Sequence, residues 1–123
     1  MIAIMPSWIS MMVKKDEHDI RPKAGSGNGA ARNLGSAAEL VDAHSQGIED
    51  ARQTVSDTTD QHLKTPWKLL EGGKVVSEKP RYSFILENFK HLAHHRGQLA
   101  VYLRMNDAQV PAIYGPSADD HRF

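Results

Sequence analysis

The chain has 123 residues, 40% of them hydrophobic and 24% charged, and its 15 basic and 15 acidic residues give a formal net charge of zero. That length and composition suit one folded domain over residues 1–123, and the balanced charge offers no basic surface for nucleic acid. Cysteine is absent, which removes disulfides, thiolate nucleophiles and sulfur ligands, so a transition-metal site must draw on histidine, aspartate or glutamate.

The first apolar stretch, MIAIMPSWISMMVKK, reads as a buried helix over residues 2–15. Pro6 is compatible with helix only in a first turn, so the regular helix starts near Met5 or kinks there. The lysines follow the apolar run, the reverse of a secretory signal, and the run is too short to span a bilayer. We therefore expect no membrane association and a cytoplasmic protein. Residues 21–35, with Gly25, Gly27, Gly29 and Gly35, read as a flexible glycine-rich loop.

Ser36 and Glu39 have capping-box spacing and open a second helix. Its stripe of Ala37, Leu40, Val41, His44, Ile48, Ala51 and Val55 recurs at three and four and carries the helix to about His62. Pro66 and Pro80 then bracket two short apolar runs around Gly72-Gly73, the pattern of a small hairpin or an extended crossover. A last long helix is expected over 81–105, with Ile85, Phe89, Leu92, Leu99 and Leu103 as its core stripe. Pro111 and Pro116 stop further helix, leaving 106–123 as an extended C-terminal segment. The expected fold is all-α: an up-down four-helix-bundle type lacking its first helix, with a short extended or hairpin crossover before the last one.

The chemistry concentrates in NFKHLAHHRGQLAVYLR, residues 88–104. At about 100° per residue, His91, His95, Gln98 and Tyr102 share a narrow helical sector, while His94 points elsewhere. A His-x-x-x-His pair sets two imidazoles one turn apart, within reach of a single ion. The same spacing also suits two polar side chains hydrogen-bonded to backbone or water. Asn88 and Gln98 are placed to orient the imidazoles as outer partners. Tyr102 is a catalytic candidate, a donor toward a metal-bound water or a substrate.

The segment HLAHHRGQLAVYLRMNDAQVPAIYGPSADD resembles the C-terminal signature of the DinB-like family, in the branch that reads HHRGQLxVYLRxxxxxVPxIYGPSAD. TPWKLLEGGKVV (65–76), SAAELVDAHSQGIEDAR (36–52) and AIMPSWISMM (3–12) extend the resemblance over nearly the whole chain. It implies a metal-binding four-helix bundle, often dimeric, whose divalent ion, zinc or nickel, is held by three histidines. Two of these correspond to His91 and His95. The third precedes a segment of the form xAxxPxW, here IAIMPSW (2–8), and falls at about Met1, so the chain resembles a member truncated at its N-terminus.

His44 and the α-amino group of Met1 are candidates for the missing ligand. Helix rise places His44 about 6 Å out of axial register with His95 if the two helices run antiparallel, and His62 about 20 Å away. The family implies a metal-dependent thiol transferase or hydrolase-type enzyme of unspecified substrate. A low-molecular-weight thiol would come from outside, because the chain has no cysteine. The alternative is a non-catalytic, metal-weakened module that closes an apolar groove by homodimerising.

Overall fold

Pro6 sets where the first helix begins. A 3-10 turn, Ile2–Ile4, runs into α1, Met5–Lys14, with the proline in its first turn, where no amide hydrogen is required. The computed structural model describes residues 1–22 and 34–122. The chain continues through β1 (Glu17–Asp19), α2 (Ala37–Ser56), α3 (Asp60–Leu63), β2 (Pro66–Glu71), β3 (Lys74–Pro80) and α4 (Arg81–Met105). The expected glycine-rich loop at 21–35 lies mostly outside the described residues. Among those described, no helix is long and apolar enough to cross a membrane.

The all-α four-helix-bundle expectation is wrong. The region read as a small hairpin or an extended crossover is part of a three-stranded sheet in the order β1-β2-β3. β2 and β3 form an antiparallel hairpin whose turn residues Gly72 and Gly73 have φ of 60° and 82°, the left-handed pair such turns demand. β1 pairs in parallel with β2, Glu17 opposite Lys68 and Asp19 opposite Leu70. The Asp19 carboxylate fixes this arrangement by accepting from the Gly72 and Gly73 amides at 3.0 and 2.7 Å. Partial burial works against its charge. The backbone donors of Arg21, Gly73 and Gly72 outweigh that and hold its pKa below the ordinary carboxylate value.

The second helix also stops earlier than its apolar stripe suggests. α2 ends at Ser56, and Thr59 starts α3 by accepting the His62 amide on its hydroxyl. The run Asp57-Thr58-Thr59 offers the backbone side-chain partners that compete with helix continuation. The N-terminal capping box is present, with Ser36 Oγ accepting from the Glu39 amide and the Glu39 carboxylate accepting from the Ser36 amide.

Two compact units divide the chain, Met1–Phe89 and Lys90–Phe123, with α4 contributing to both. The core of the first is Trp67, Met12 and Phe84, flanked by Trp8, Met11, Leu69 and Ile85. There α1 meets α2 through small residues. Gly47, Ala51 and Thr54 are buried, and a Cβ at Gly47 would stand 3.3 Å from the Ser7 amide nitrogen. That close crossing explains why Leu40, Val41, Ile48 and Val55, expected in the core, are exposed instead. On α4 the buried line in this unit is Arg81, Phe84 and Asn88, beside the expected stripe rather than on it.

In the second unit, α4 closes with Asp107 in the left-handed region (φ 53°), Ala108 N–H bonding Leu103 O and Asp107 N–H bonding Arg104 O. This is the paired termination that satisfies the last carbonyls of a helix. The C-terminal segment is ordered by polar contacts. Arg104 donates to the Asp119 carboxylate at 3.3 and 2.6 Å, Asp119 accepts from the Val110 amide, and Asp120 accepts from the Ala112 amide.

Candidate metal centre

His91 and His95 occupy successive turns of α4, and their rings meet. The two Nε2 atoms stand 2.8 Å apart, with ring centroids separated by 4.5 Å and planes tilted by 40°. His95 Nδ1 lies 2.7 Å from Gln98 Oε1. A carbonyl oxygen only accepts, so Nδ1 of His95 is the donor in this bond, while the donor in the contact between the two rings depends on the tautomer. The contacts follow one face of the helix, from His91 to His95 and from His95 to Gln98.

The pair fits a metal ion in its donor chemistry. Two nitrogens each about 2.0–2.1 Å from one ion stand about 2.9 Å apart at a right angle and about 3.3 Å apart at the tetrahedral angle. The observed 2.8 Å is close to the right-angle bite and needs a few tenths of an ångström of opening for the tetrahedral one. Gln98 occupies the outer position that a metal-bound histidine uses to fix its tautomer. His94 sits edge-on to His95, with centroids 5.4 Å apart, and takes no part in the Nε2 convergence.

A three-histidine centre is not what the structure assembles. Among the described residues, no group of three or more histidine, cysteine, aspartate or glutamate side chains is placed to hold an ion. His44 lies on α2, and its Nδ1 is buried without a hydrogen-bond partner among the described residues. Met1 begins the 3-10 turn, its carbonyl accepting from the Ile4 amide. Asn88, expected beside the imidazoles, is buried in the first unit, where its Nδ2 donates to the Met5 carbonyl at 3.2 Å. Tyr102 is exposed on α4.

A cleft of about 430 Å³ lies wholly within the first unit, lined by residues that include Asp16, His62, Lys68, Glu78 and Arg81. Two of its polar groups, Arg81 and His62, are committed to structure. Arg81 Nη1 donates to the Met12 carbonyl at 2.7 Å and to the Lys15 carbonyl, and Nε donates to Thr65 Oγ1 at 2.9 Å. His62 Nε2 bonds the Val13 carbonyl at 2.9 Å. Arg81 and His62 thus cap the C-terminus of α1. Sequence reasoning missed this role for both. One signal was present: a cation at the first position of α4 faces the positive end of its own helix dipole, which favours its use elsewhere.

No family model and no solved structure matches this chain. A curated relative is the uncharacterized protein YrdA of Bacillus subtilis (strain 168), 33% identical over 84 residues. The match covers 65% of this chain and 50% of that protein, so the chain spans about half the length of the curated relative it matches.

Proposed function

We propose that this chain is a DinB-like divalent-metal-binding protein whose His91 and His95 hold zinc or nickel through Nε2. The observation that carries the proposal is the convergence of the two Nε2 atoms, with Gln98 Oε1 against Nδ1 of His95. Two protein nitrogens leave the rest of the coordination sphere open to water and to substrate. An ion so held supplies Lewis acidity, lowering the pKa of a bound thiol or water. With no cysteine in the chain, a thiol substrate comes from a low-molecular-weight donor. The protein's own part is to present the two imidazoles in fixed orientation on a rigid helix, with the Tyr102 hydroxyl available two turns beyond His95. The reaction class is thiol transfer or hydrolysis on a small molecule.

Single substitutions test this. His91→Ala and His95→Ala are each expected to weaken zinc or nickel binding at least about tenfold, as loss of one of two ligands demands. Titration calorimetry and elemental analysis of dialysed protein read the change. Equal metal content in wild type and both variants would remove the proposal.

A second reading, a homodimerisation module, is favoured by a separate observation. Val41, Ile48 and Val55 recur every seven residues on α2 and are 64%, 41% and 42% exposed. A β-branched stripe of this kind is an association surface when two copies bury it together. Ile48→Glu is expected to move a dimer to monomer in sedimentation equilibrium. A wild-type chain that stays monomeric at high concentration would rule this reading out.

A further inference from the structure

Gln98 Oε1 is an acceptor placed against Nδ1 of His95. From this geometry we infer that Gln98 is the positioning residue of the pair: its amide oxygen holds His95 in the Nδ1–H form and so directs the Nε2 lone pair toward His91. The inference builds on the metal-binding proposal but is a property of the protein without metal.

Three observations support it. The His95 Nδ1 to Gln98 Oε1 distance is 2.7 Å, a strong contact between residues three apart on one helix. Side chains at this spacing are neighbours on the helix surface, so the helix itself supplies the alignment. Finally, the His91–His95 contact at 2.8 Å requires one Nε2 to donate and the other to accept. An amide oxygen on Nδ1 of His95 decides which: His95 accepts and His91 donates. Without the amide oxygen, His95 can carry its proton on either nitrogen. In the Nε2–H form that proton stands where an ion would bind.

Gln98 is exposed, so its replacement leaves the fold intact, and a merely structural role would show only in stability. The test uses the full chain, metal-free, with ¹⁵N-labelled histidine. It is run at a pH of about 8, above the ordinary histidine range, so that neutral rings are observed. Long-range ¹H–¹⁵N correlation spectra report the tautomer of each imidazole directly. In the wild type, His95 is expected as Nδ1–H and His91 as Nε2–H. Gln98→Leu is expected to release His95 into a mixture of tautomers, with the thermal midpoint unchanged. Gln98→Glu, which keeps an acceptor in place, is expected to restore the Nδ1–H form.

Metal titration gives a second readout. Zn²⁺ or Ni²⁺ binding is expected to weaken about tenfold in Gln98→Leu and to recover in Gln98→Glu, the range found when an outer partner of a metal-bound histidine is lost. A wild-type His95 found as Nε2–H overturns the inference, and so does a Gln98→Leu variant with unchanged tautomer. If the tautomers behave as expected but the wild type takes up neither ion, the role of Gln98 stands and the metal-binding proposal fails. The two failures are thereby told apart.

Discussion

Replacing Trp67 by alanine is expected to lower the free energy of unfolding by about 3–5 kcal/mol, the range for deleting a large aromatic from a packed core. Trp67 is 1% exposed and lies in β2, where it meets Met12 of α1 and Phe84 of α4. Its ring is edge-on to Phe84, with centroids 4.7 Å apart and planes at 65°, a favoured aromatic geometry. One side chain therefore joins the sheet to two helices. Trp67→Phe separates volume from polarity. The indole Nε1 is buried without a hydrogen-bond partner, an arrangement that costs stability in the native state. Phenylalanine removes that orphan donor and keeps an aromatic face, so its cost is expected to stay below about 1.5 kcal/mol. Urea unfolding followed by circular dichroism measures both. Equal losses for the two variants would show that Trp67 does not anchor the core through its bulk.

What could be read from the sequence was what short-range interactions determine. The capping box at Ser36 and Glu39 is such a case. So is α4, begun at Arg81 after Pro80 and closed at Met105, and so is the His91–His95 spacing that the helix turns into a contact. Features set by distant partners were not readable. β1 is three residues, Glu17-His18-Asp19, with no apolar alternation to announce a strand. It exists because Asp19 reaches a turn 53 residues away and Ile20 N–H bonds the Leu70 carbonyl. Without that strand, the Gly72-Gly73 hairpin looks like a connection within an all-helical bundle rather than half of a sheet.

Large apolar residues misled for a related reason. On α2, the stripe of Val41, Ile48 and Val55 has the right period but the wrong partner, because α1 approaches so closely that only Gly47, Ala51 and Thr54 fit between the helices. Periodicity identifies an amphipathic helix but not which of two adjacent faces is buried. At the candidate centre the same division holds. Gln98 could be found because it lies three residues from His95. Asn88, on the same sector, could not be assigned by spacing, because its amide is committed to the Met5 carbonyl.

Arg81→Ala is expected to cost about 3 kcal/mol, and the cause lies in carbonyl groups rather than in an ion pair. The last carbonyls of a helix lack intrahelical partners, and leaving a buried one unsatisfied costs about 1–3 kcal/mol. Arg81, with its side chain only 3% exposed, supplies Nη1 to two such groups, Met12 O and Lys15 O, and Nε to Thr65. Its charge also sits at the negative end of the α1 dipole, which adds a favourable term. The pairing with Asp16 is a different matter. That carboxylate is 92% exposed, and exposed partners contribute about 0–1 kcal/mol. Asp16→Ala should therefore be nearly neutral. Arg81→Lys keeps the charge but replaces a planar fork with a point donor that cannot serve three acceptors at once, so it should recover only part of the loss. Chemical denaturation of the three variants orders them: Asp16→Ala close to wild type, Arg81→Lys intermediate, Arg81→Ala least stable. If Asp16→Ala proves as damaging as Arg81→Ala, the salt bridge and not the helix cap holds this corner of the fold together.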